Sequence, residues 1–154
     1  MRQVRGSFEG EGRKIAIVAS SFNEAVTKQL VEGCLDTLQK CGVEDKNISL
    51  FWVPGAYEMP VVASRLSSSK KYDGLICLGA IIRGDTPHFE YVTSSVFRAL
   101  NNISLESGVP LILGIITADT QEQALERAGL KQGNRGRESA LSVLEVIDLL
   151  NQCK

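Results

Sequence analysis

The stretch at residues 79–90 combines groups that could bind an anion and move a proton, and it reads GAIIRGDTPHFE. It begins as the end of an apolar run and turns polar at Arg83. Gly84 permits a sharp turn or a close approach of the backbone to a ligand. His88 is the only histidine of the chain. A strand end, a turn, a guanidinium and an imidazole therefore meet in one short segment.

A helix is predicted to begin in this segment. Asp85 or Thr86 can cap it, and Pro87 suits its first position because no N–H is needed there. His88 is then expected in the first helical turn, where free backbone N–H groups attract anions. Such a point could hold a phosphate and transfer a proton. The plainer alternative is an ordinary strand–helix connection with a surface histidine.

The overall composition is that of a globular domain without an unusual partner. The chain has 154 residues, of which 44% are hydrophobic and 23% charged, with a net charge of -1. This predicts one domain over residues 1–154 and gives no indication of nucleic-acid or membrane binding. The N-terminus lacks a signal-peptide core, and the four cysteines form no CxxC pair. We therefore expect a cytoplasmic protein without a metal site.

Apolar runs alternate with segments of helical periodicity along the chain. Strands are predicted at residues 15–19, 48–53, 74–82 and 111–116. A helical pattern follows each of them, and one more helix is expected at the C-terminus. This alternation predicts a three-layer α/β fold of the flavodoxin type, with a four-stranded parallel sheet and helices on both faces. Residues 1–14 are weakly patterned, and a short strand at 4–8 is expected to pair with a neighbouring subunit.

Parallel strands place the loops at their carboxyl ends on one edge of the sheet, where ligands bind. Phe22, Glu58 and His88 lie in or next to three of these loops. An aromatic ring, a carboxylate and an imidazole suit a flat, nitrogen-rich ligand. Each also has a plainer explanation, such as packing beside a helix cap for Phe22 or a favourable helix-dipole charge for Glu58.

A second group of cations lies near the C-terminus, interspersed with glycines. It consists of Arg127, Lys131, Arg135 and Arg137. Basic side chains next to glycines can hold a phosphate, but a solvated face that ends a helix would look the same. Glu138 is expected to pair with one of these cations. Glycine-rich nucleotide loops and the GxSxG nucleophile motif do not occur in the sequence.

Four motifs together resemble the lumazine synthase (6,7-dimethyl-8-ribityllumazine synthase) family, over about residues 6–150. They are ASSFN at 19–23, VPGAYEMP at 53–60, the segment 79–89, and RAGLKQGN at 127–134. The resemblance implies condensation of 5-amino-6-(D-ribitylamino)uracil with 3,4-dihydroxy-2-butanone 4-phosphate, the penultimate step of riboflavin synthesis. It implies no metal or organic cofactor.

The resemblance also implies the roles of individual residues. Phe22 would stack on the pyrimidine, and the backbone at Ile81 and Ile82 would address the uracil. The ribityl chain would be held by Ala56, Tyr57 and Glu58. The phosphate would be bound by Gly84, Asp85, Thr86 and Arg127. His88 would carry protons during imine formation, phosphate elimination and ring closure.

At two positions the residue type differs from that of many relatives. Both positions belong to the subunit contact that the resemblance implies. Leu113 stands where many have phenylalanine, and Arg135 where many have lysine, whereas Lys131 matches. The resemblance implies a ring of five, with Leu113, Arg127, Lys131 and Arg135 supplied by the neighbour. The compact turn at 129–134 resembles members whose rings close into a sixty-subunit shell, and riboflavin synthase is a candidate partner.

Two other functions remain open from the sequence. One is a module that binds a flavin or a related heterocycle without chemistry, although stacking alone needs neither His88 nor Arg127. The other is a mainly structural shell protein, which intact site motifs do not favour.

Overall fold

The structure is a computed structural model that describes residues 1–85, 87–129 and 133–154. Its described strands form one parallel sheet in the order β2-β1-β3-β4. The strands are β1 (Ile15–Ser20), β2 (Ile48–Val53), β3 (Gly74–Ile82) and β4 (Leu111–Ala118). Ile15 is aligned with both Ile48 and Gly74, so three neighbouring strands begin at the same level. The predicted parallel sheet is confirmed.

Helices cover both faces of this sheet, as the alternating pattern predicted. They are α1 (Glu24–Lys40), α2 (Met59–Ser68), α3 (Phe89–Ser107), α4 (Gln121–Arg127) and α5 (Arg135–Gln152). The side chains of α1, α4 and α5 share one core with Ile15 and Ile17, and those of α2 and α3 share another with Ala16 and Val18. Successive strand residues point to opposite faces, so β1 contributes to both cores.

The central strands differ from the edge strands in burial. Every residue of β1 and β3 is buried, which explains their continuous apolar sequence. The edge strand β2 carries Trp52, the only tryptophan of the chain, whose side chain is 42% exposed. Residues 111–113 of the other edge strand, β4, are half-buried. Apolar surface therefore remains at both edges of the sheet.

The start of α3 differs from the prediction. The helix begins at Phe89 and His88 occupies the N-cap position, so neither Asp85 nor Pro87 belongs to the helix. The N–H of Asp85 instead donates to Ile82 O at 3.2 Å and closes a turn through Gly84. Turn formation and helix capping favour the same residue types, and here the turn prevails. Thr86, the other candidate cap, lies outside the described residues.

The predicted strand at residues 4–8 does not form within this chain, where residues 1–10 contain no helix or strand. This segment lies along α5 instead. Ser7 N donates to Asp148 Oδ2 at 2.8 Å, and Gln152 Nε2 donates to Arg5 O at 3.1 Å. Pairing with a neighbouring subunit stays a prediction.

Among the described helices, none combines the length and the hydropathy needed to traverse a bilayer.

Candidate active site

A cavity of about 160 Å³ opens at the carboxyl edge of the sheet. It is lined by Phe22, Gly55, Ala56, Tyr57, Glu58, Ala80, Ile81, Ile82, Asp85 and Val92. Segments far apart in sequence thus converge, because the loops after β1, β2 and β3 leave the sheet on the same edge. The predicted proximity of Phe22 to Glu58 is seen directly.

Backbone hydrogen bonds fix the loop after β1 to the loop after β2. Ser21 N donates to Val53 O at 2.8 Å, and Phe22 N donates to Pro54 O at 2.9 Å. The ring of Phe22 is 56% exposed at the mouth of the cavity. A planar ligand can therefore lie against this ring with little rearrangement of the backbone.

The loop after β2 ends in a short 3-10 turn, Ala56–Glu58, that presents three different surfaces. Ala56 is buried, Tyr57 is 67% exposed, and Glu58 is half-buried. Glu58 also occupies the N-cap position of α2, where the positive end of the helix dipole favours a carboxylate. The Glu58 carboxylate can therefore accept hydrogen bonds from a ligand beside the ring of Phe22.

The end of β3 forms the apolar side of the cavity. Ile81 and Ile82 are both buried, with 6% exposure each. The strand then turns at Gly84, whose φ of 97° lies in the left-handed region that favours glycine. A Cβ at this position would meet no atom within 4 Å, so the backbone angle rather than space calls for glycine.

Asn23 joins two of these segments, a role that the sequence did not reveal. Its backbone is left-handed, with φ 59°. Its side-chain amide donates to Ala80 O at 3.3 Å and to Asp85 Oδ2 at 3.2 Å. Asparagine just before a helix commonly caps it with its side chain, but the side chain of Asn23 makes no cap hydrogen bond to α1. The frequent left-handed conformation of asparagine was the available signal, but its distant partners could not be read from the sequence.

His88 lies near the cavity without lining it. The residue is exposed at the start of α3, and its carbonyl accepts from Val92 N at 2.9 Å. Its ring centroid is 6.4 Å from that of Tyr91. Because Val92 lines the cavity one helical turn later, His88 stands at the side of the cavity where α3 begins.

A second cavity of about 170 Å³ lies between the ends of β3 and β4. It is lined by Arg83, Phe89, Thr117, Ala118, Asp119, Gln123 and Arg127. Arg127 Nη1 donates to Thr117 O at 2.6 Å, which fixes the orientation of the guanidinium. Arg127 forms no ion pair with the described residues, so it can still pair with an anion.

Arg83 in the same cavity is already paired. Its Nε donates to Asp119 Oδ1 at 2.9 Å, its Nη1 is 3.6 Å from Glu90 Oε1, and its guanidinium carbon lies 4.6 Å from the centre of the Phe89 ring. The hydrogen bond to Asp119 raises the pKa of Arg83 further. Asp119 therefore holds the Arg83 cation in place, which the sequence did not indicate.

Two further predicted residues, Leu113 and Arg135, line neither cavity. Leu113 is aligned with Cys77 in the middle of the sheet, half-buried on the α2 and α3 side. Arg135 begins α5 and pairs with Glu138 at 3.3 Å, which confirms that Glu138 binds one of the cations. Thr86 and Lys131 lie outside the described residues. Within residues 1–85, 87–129 and 133–154, no group of three or more His, Cys, Asp or Glu side chains could hold a metal ion.

Known proteins match nearly the whole chain. The model of the family described as 6,7-dimethyl-8-ribityllumazine synthase matches residues 12–151. A 6,7-dimethyl-8-ribityllumazine synthase of Protochlamydia amoebophila (strain UWE25) is 47% identical over 152 residues, covering 99% of this chain and 88% of that protein. The family match includes every residue that lines the two cavities.

Proposed function

The chain belongs to the 6,7-dimethyl-8-ribityllumazine synthase family, and on that premise we propose how its residues carry out the reaction. The enzyme is a transferase that condenses 5-amino-6-(D-ribitylamino)uracil with 3,4-dihydroxy-2-butanone 4-phosphate, releasing phosphate and water. The observation that carries the assignment of roles is the cavity shared by Phe22, the turn at 56–58 and the end of β3.

The first cavity binds the ribitylaminouracil in this proposal. The exposed ring of Phe22 stacks on the pyrimidine, and the backbone at Ile81 and Ile82 addresses its polar edge. Glu58 accepts hydrogen bonds from ribityl hydroxyl groups, while Ala56 and Tyr57 frame the chain. The support is the mixture of an open aromatic face, a half-buried carboxylate and a buried apolar side within one cavity.

The phosphate of the second substrate binds next to this cavity, at the turn through Gly84 and Asp85 and at Thr86, the next residue in the sequence. Arg127 adds a guanidinium, which can bind two phosphate oxygens at once. The support is that Arg127 is oriented by Thr117 O but has no carboxylate partner among the described residues. Arg83 is held by Asp119 and Glu90 and is less available for a ligand.

His88 transfers protons in imine formation, phosphate elimination and ring closure. The support is that His88 is the N-cap of α3, one helical turn before Val92, which lines the ring cavity. An imidazole can both accept and donate a proton. Holding the two reactants side by side supplies much of the remaining rate enhancement.

A neighbouring subunit completes the site in this proposal. The cavity of about 160 Å³ is smaller than the roughly 300 Å³ at which ligand pockets usually begin. Leu113 and Arg135 do not line it within one chain. We propose that Leu113, Arg127, Lys131 and Arg135 reach the site from the adjacent member of a pentamer, with residues 1–14 at the subunit contact. The assembly is proposed to be a sixty-subunit shell in the cytoplasm, with riboflavin synthase as a candidate partner.

The test follows lumazine formation spectroscopically with the two substrates. His88→Ala is expected to lower kcat by about 100-fold, the lower end for general acid–base catalysis, with little change in KM. Arg127→Ala is expected to raise KM for the phosphorylated substrate at least about 10-fold, because a charge-assisted hydrogen bond is lost.

Arg65→Ala is the matched control, since this exposed arginine on α2 lies outside both cavities. Unchanged kinetics in both site variants would contradict these roles. If the unaltered protein binds a flavin or lumazine but forms no product, the binding-module interpretation is correct instead.

A further inference from the structure

The opposite, amino edge of the sheet carries a larger cavity that the reaction does not use. Its volume is about 650 Å³. It is lined by Gly12, Lys14, Lys46, Asn47, Ser49, Lys70, Lys71, Tyr72 and Asp73. A six-residue strand separates the two edges, which corresponds to about 20 Å at the usual rise per residue. A ligand here would not compete with the substrates.

The order of the strands creates this cavity. Lys14, Asn47 and Asp73 each immediately precede one of the three neighbouring strands that begin at the same level. Lys14 N donates to Asp73 Oδ2 at 2.8 Å, and Asp73 N donates to Lys14 O at 2.7 Å. These reciprocal bonds hold together the two segments that precede β1 and β3.

The charge around this cavity differs from that of the whole molecule. Four lysines and one acidic residue, Asp73, line the cavity, in a chain whose net charge is -1. Lys46 is 3.3 Å from Glu44, but Lys14, Lys70 and Lys71 have no ion pair with the described residues. Like charges placed together repel one another, and an anion between them would relieve that repulsion.

Lys70 is held in a conformation that a lysine rarely adopts. Its φ is 61°, directly after the C-cap Ser69 of α2. Glycine is the usual residue at this position because it adopts left-handed angles without a steric cost. Lys70 therefore occupies a position where the backbone favours glycine, and it lines the cavity.

We propose that these four lysines form a binding site for a compact anion with two linked phosphates, such as inorganic pyrophosphate or the diphosphate of a nucleotide. Separate ammonium groups can each bind a different phosphate oxygen. Asn47 and Ser49 add neutral hydrogen-bond donors to the same wall. The volume is in the range of sites for small organic ligands and exceeds what a single phosphate needs. Pairing of the lysines with the negative C-terminal end of α2 is the competing explanation.

The test titrates inorganic pyrophosphate, ADP and orthophosphate into the assembled protein by calorimetry. Pyrophosphate and ADP are expected to bind at least 10-fold more tightly than orthophosphate, and their affinity should fall as salt rises. Replacing Lys70 and Lys71 together by alanine should weaken pyrophosphate binding at least 10-fold and leave lumazine formation unchanged, since both lie outside the proposed subunit contact at residues 1–14. Lys28→Ala with Lys40→Ala is the control, because both are exposed on α1 and paired to acidic neighbours.

Lys70→Gly separates the two explanations. If Lys70 binds phosphate, the glycine variant should bind pyrophosphate more weakly. It should be no less heat-stable than the unaltered protein, because glycine relieves the unfavourable backbone conformation. The proposal would be overturned if pyrophosphate and orthophosphate bound equally weakly, or if pyrophosphate binding were unchanged in the double variant. The lysines would then be partners of the helix end.

Discussion

Asn23 has two functions that its neighbour Phe22 does not share. Its carbonyl accepts from Val26 N at 3.0 Å and Thr27 N at 3.1 Å and so begins α1. Its side-chain amide holds the end of β3 and the turn at Asp85. One residue therefore fixes the distance between the aromatic ring and the proposed phosphate turn.

We predict that Asn23→Gly lowers the free energy of unfolding by about 1–2 kcal/mol, because two hydrogen bonds are lost while glycine keeps the left-handed backbone. Activity should fall as well, since the turn at Asp85 is no longer held. Urea unfolding and lumazine formation measure the two effects. Lys70→Gly is the matched control, because it also replaces a left-handed residue but removes no side-chain hydrogen bond that the structure shows. Equal effects of both changes would contradict the role of the Asn23 amide.

The buried thiols make stability depend on alkaline pH. Cys34 and Cys77 are fully buried, and desolvation raises the pKa of each to about 12 from about 9. Between these values the unfolded chain loses thiol protons that the folded chain keeps, so the free energy of unfolding should fall as pH rises above about 9. Each thiol can contribute up to about 1.4 kcal/mol per pH unit.

Denaturant unfolding at pH 8 and pH 10 measures this effect. Cys77→Ala should reduce the loss of stability between the two pH values, whereas replacement of the exposed Cys153 should not. The same loss in all three proteins would assign the effect to other groups.

The sequence predicted which residues lie close together, but it did not predict the hydrogen bonds that hold them in place. Phe22 and Glu58 were expected together because parallel strands end on one edge. The sequence around Asn23 favours a helix cap, which is a frequent role of asparagine before a helix. Its true partners are 57 and 62 residues away, and no local pattern contains them.

Among the elements, the buried strands were the most predictable. The bounds of β2 and β3 agree with the prediction because apolar runs end sharply at polar residues or Pro54. β4 continues to Ala118, two residues beyond the prediction, because its pairing with β3 extends to Ile82. The extra length depends on a neighbouring strand and is invisible in the sequence of β4 alone.

The contact between α1 and α5 depends on a glycine. A Cβ on Gly136 would overlap Leu30 O, a backbone atom that cannot move aside. We predict that Gly136→Ala lowers the free energy of unfolding by about 3 kcal/mol, the upper end of the usual cost of overpacking. Thermal or urea unfolding measures it.

Gly108→Ala is the control for this change. Its Cβ would meet no atom within 4 Å, although φ is 74°, so only the conformational cost of about 1–2 kcal/mol applies. A smaller loss for Gly136→Ala than for Gly108→Ala would show that α5 can shift to relieve the overlap.

At the scale of the whole molecule, the proposed division of the site between subunits can be tested by mixing variants. His88→Ala and Arg127→Ala proteins are each expected to be impaired. After dissociation and joint reassembly, some sites would combine an intact His88 with an intact Arg127 from the neighbour. Random mixing in a closed ring should restore up to about a quarter of the activity. If rings that are shown to be mixed recover no activity, His88 and Arg127 of one site must belong to the same chain.

The proposed shell makes a separate prediction about size. Light scattering or sedimentation of the unaltered protein should show a particle of sixty chains, because the sequence at 129–134 resembles that of shell-forming members and carries no insertion. A species no larger than a pentamer over a range of protein concentrations would exclude the shell but not the shared site.

The single tryptophan, Trp52 on β2, gives this enzyme an intrinsic fluorescent probe. Because Trp52 is the only tryptophan and is 42% exposed, intrinsic fluorescence excited near the red edge of absorption comes from one outer strand. Another chain that covers this strand would shift the emission to shorter wavelengths, since the ring would lose contact with water. Docking of partners at this edge can thus be followed without attaching a dye.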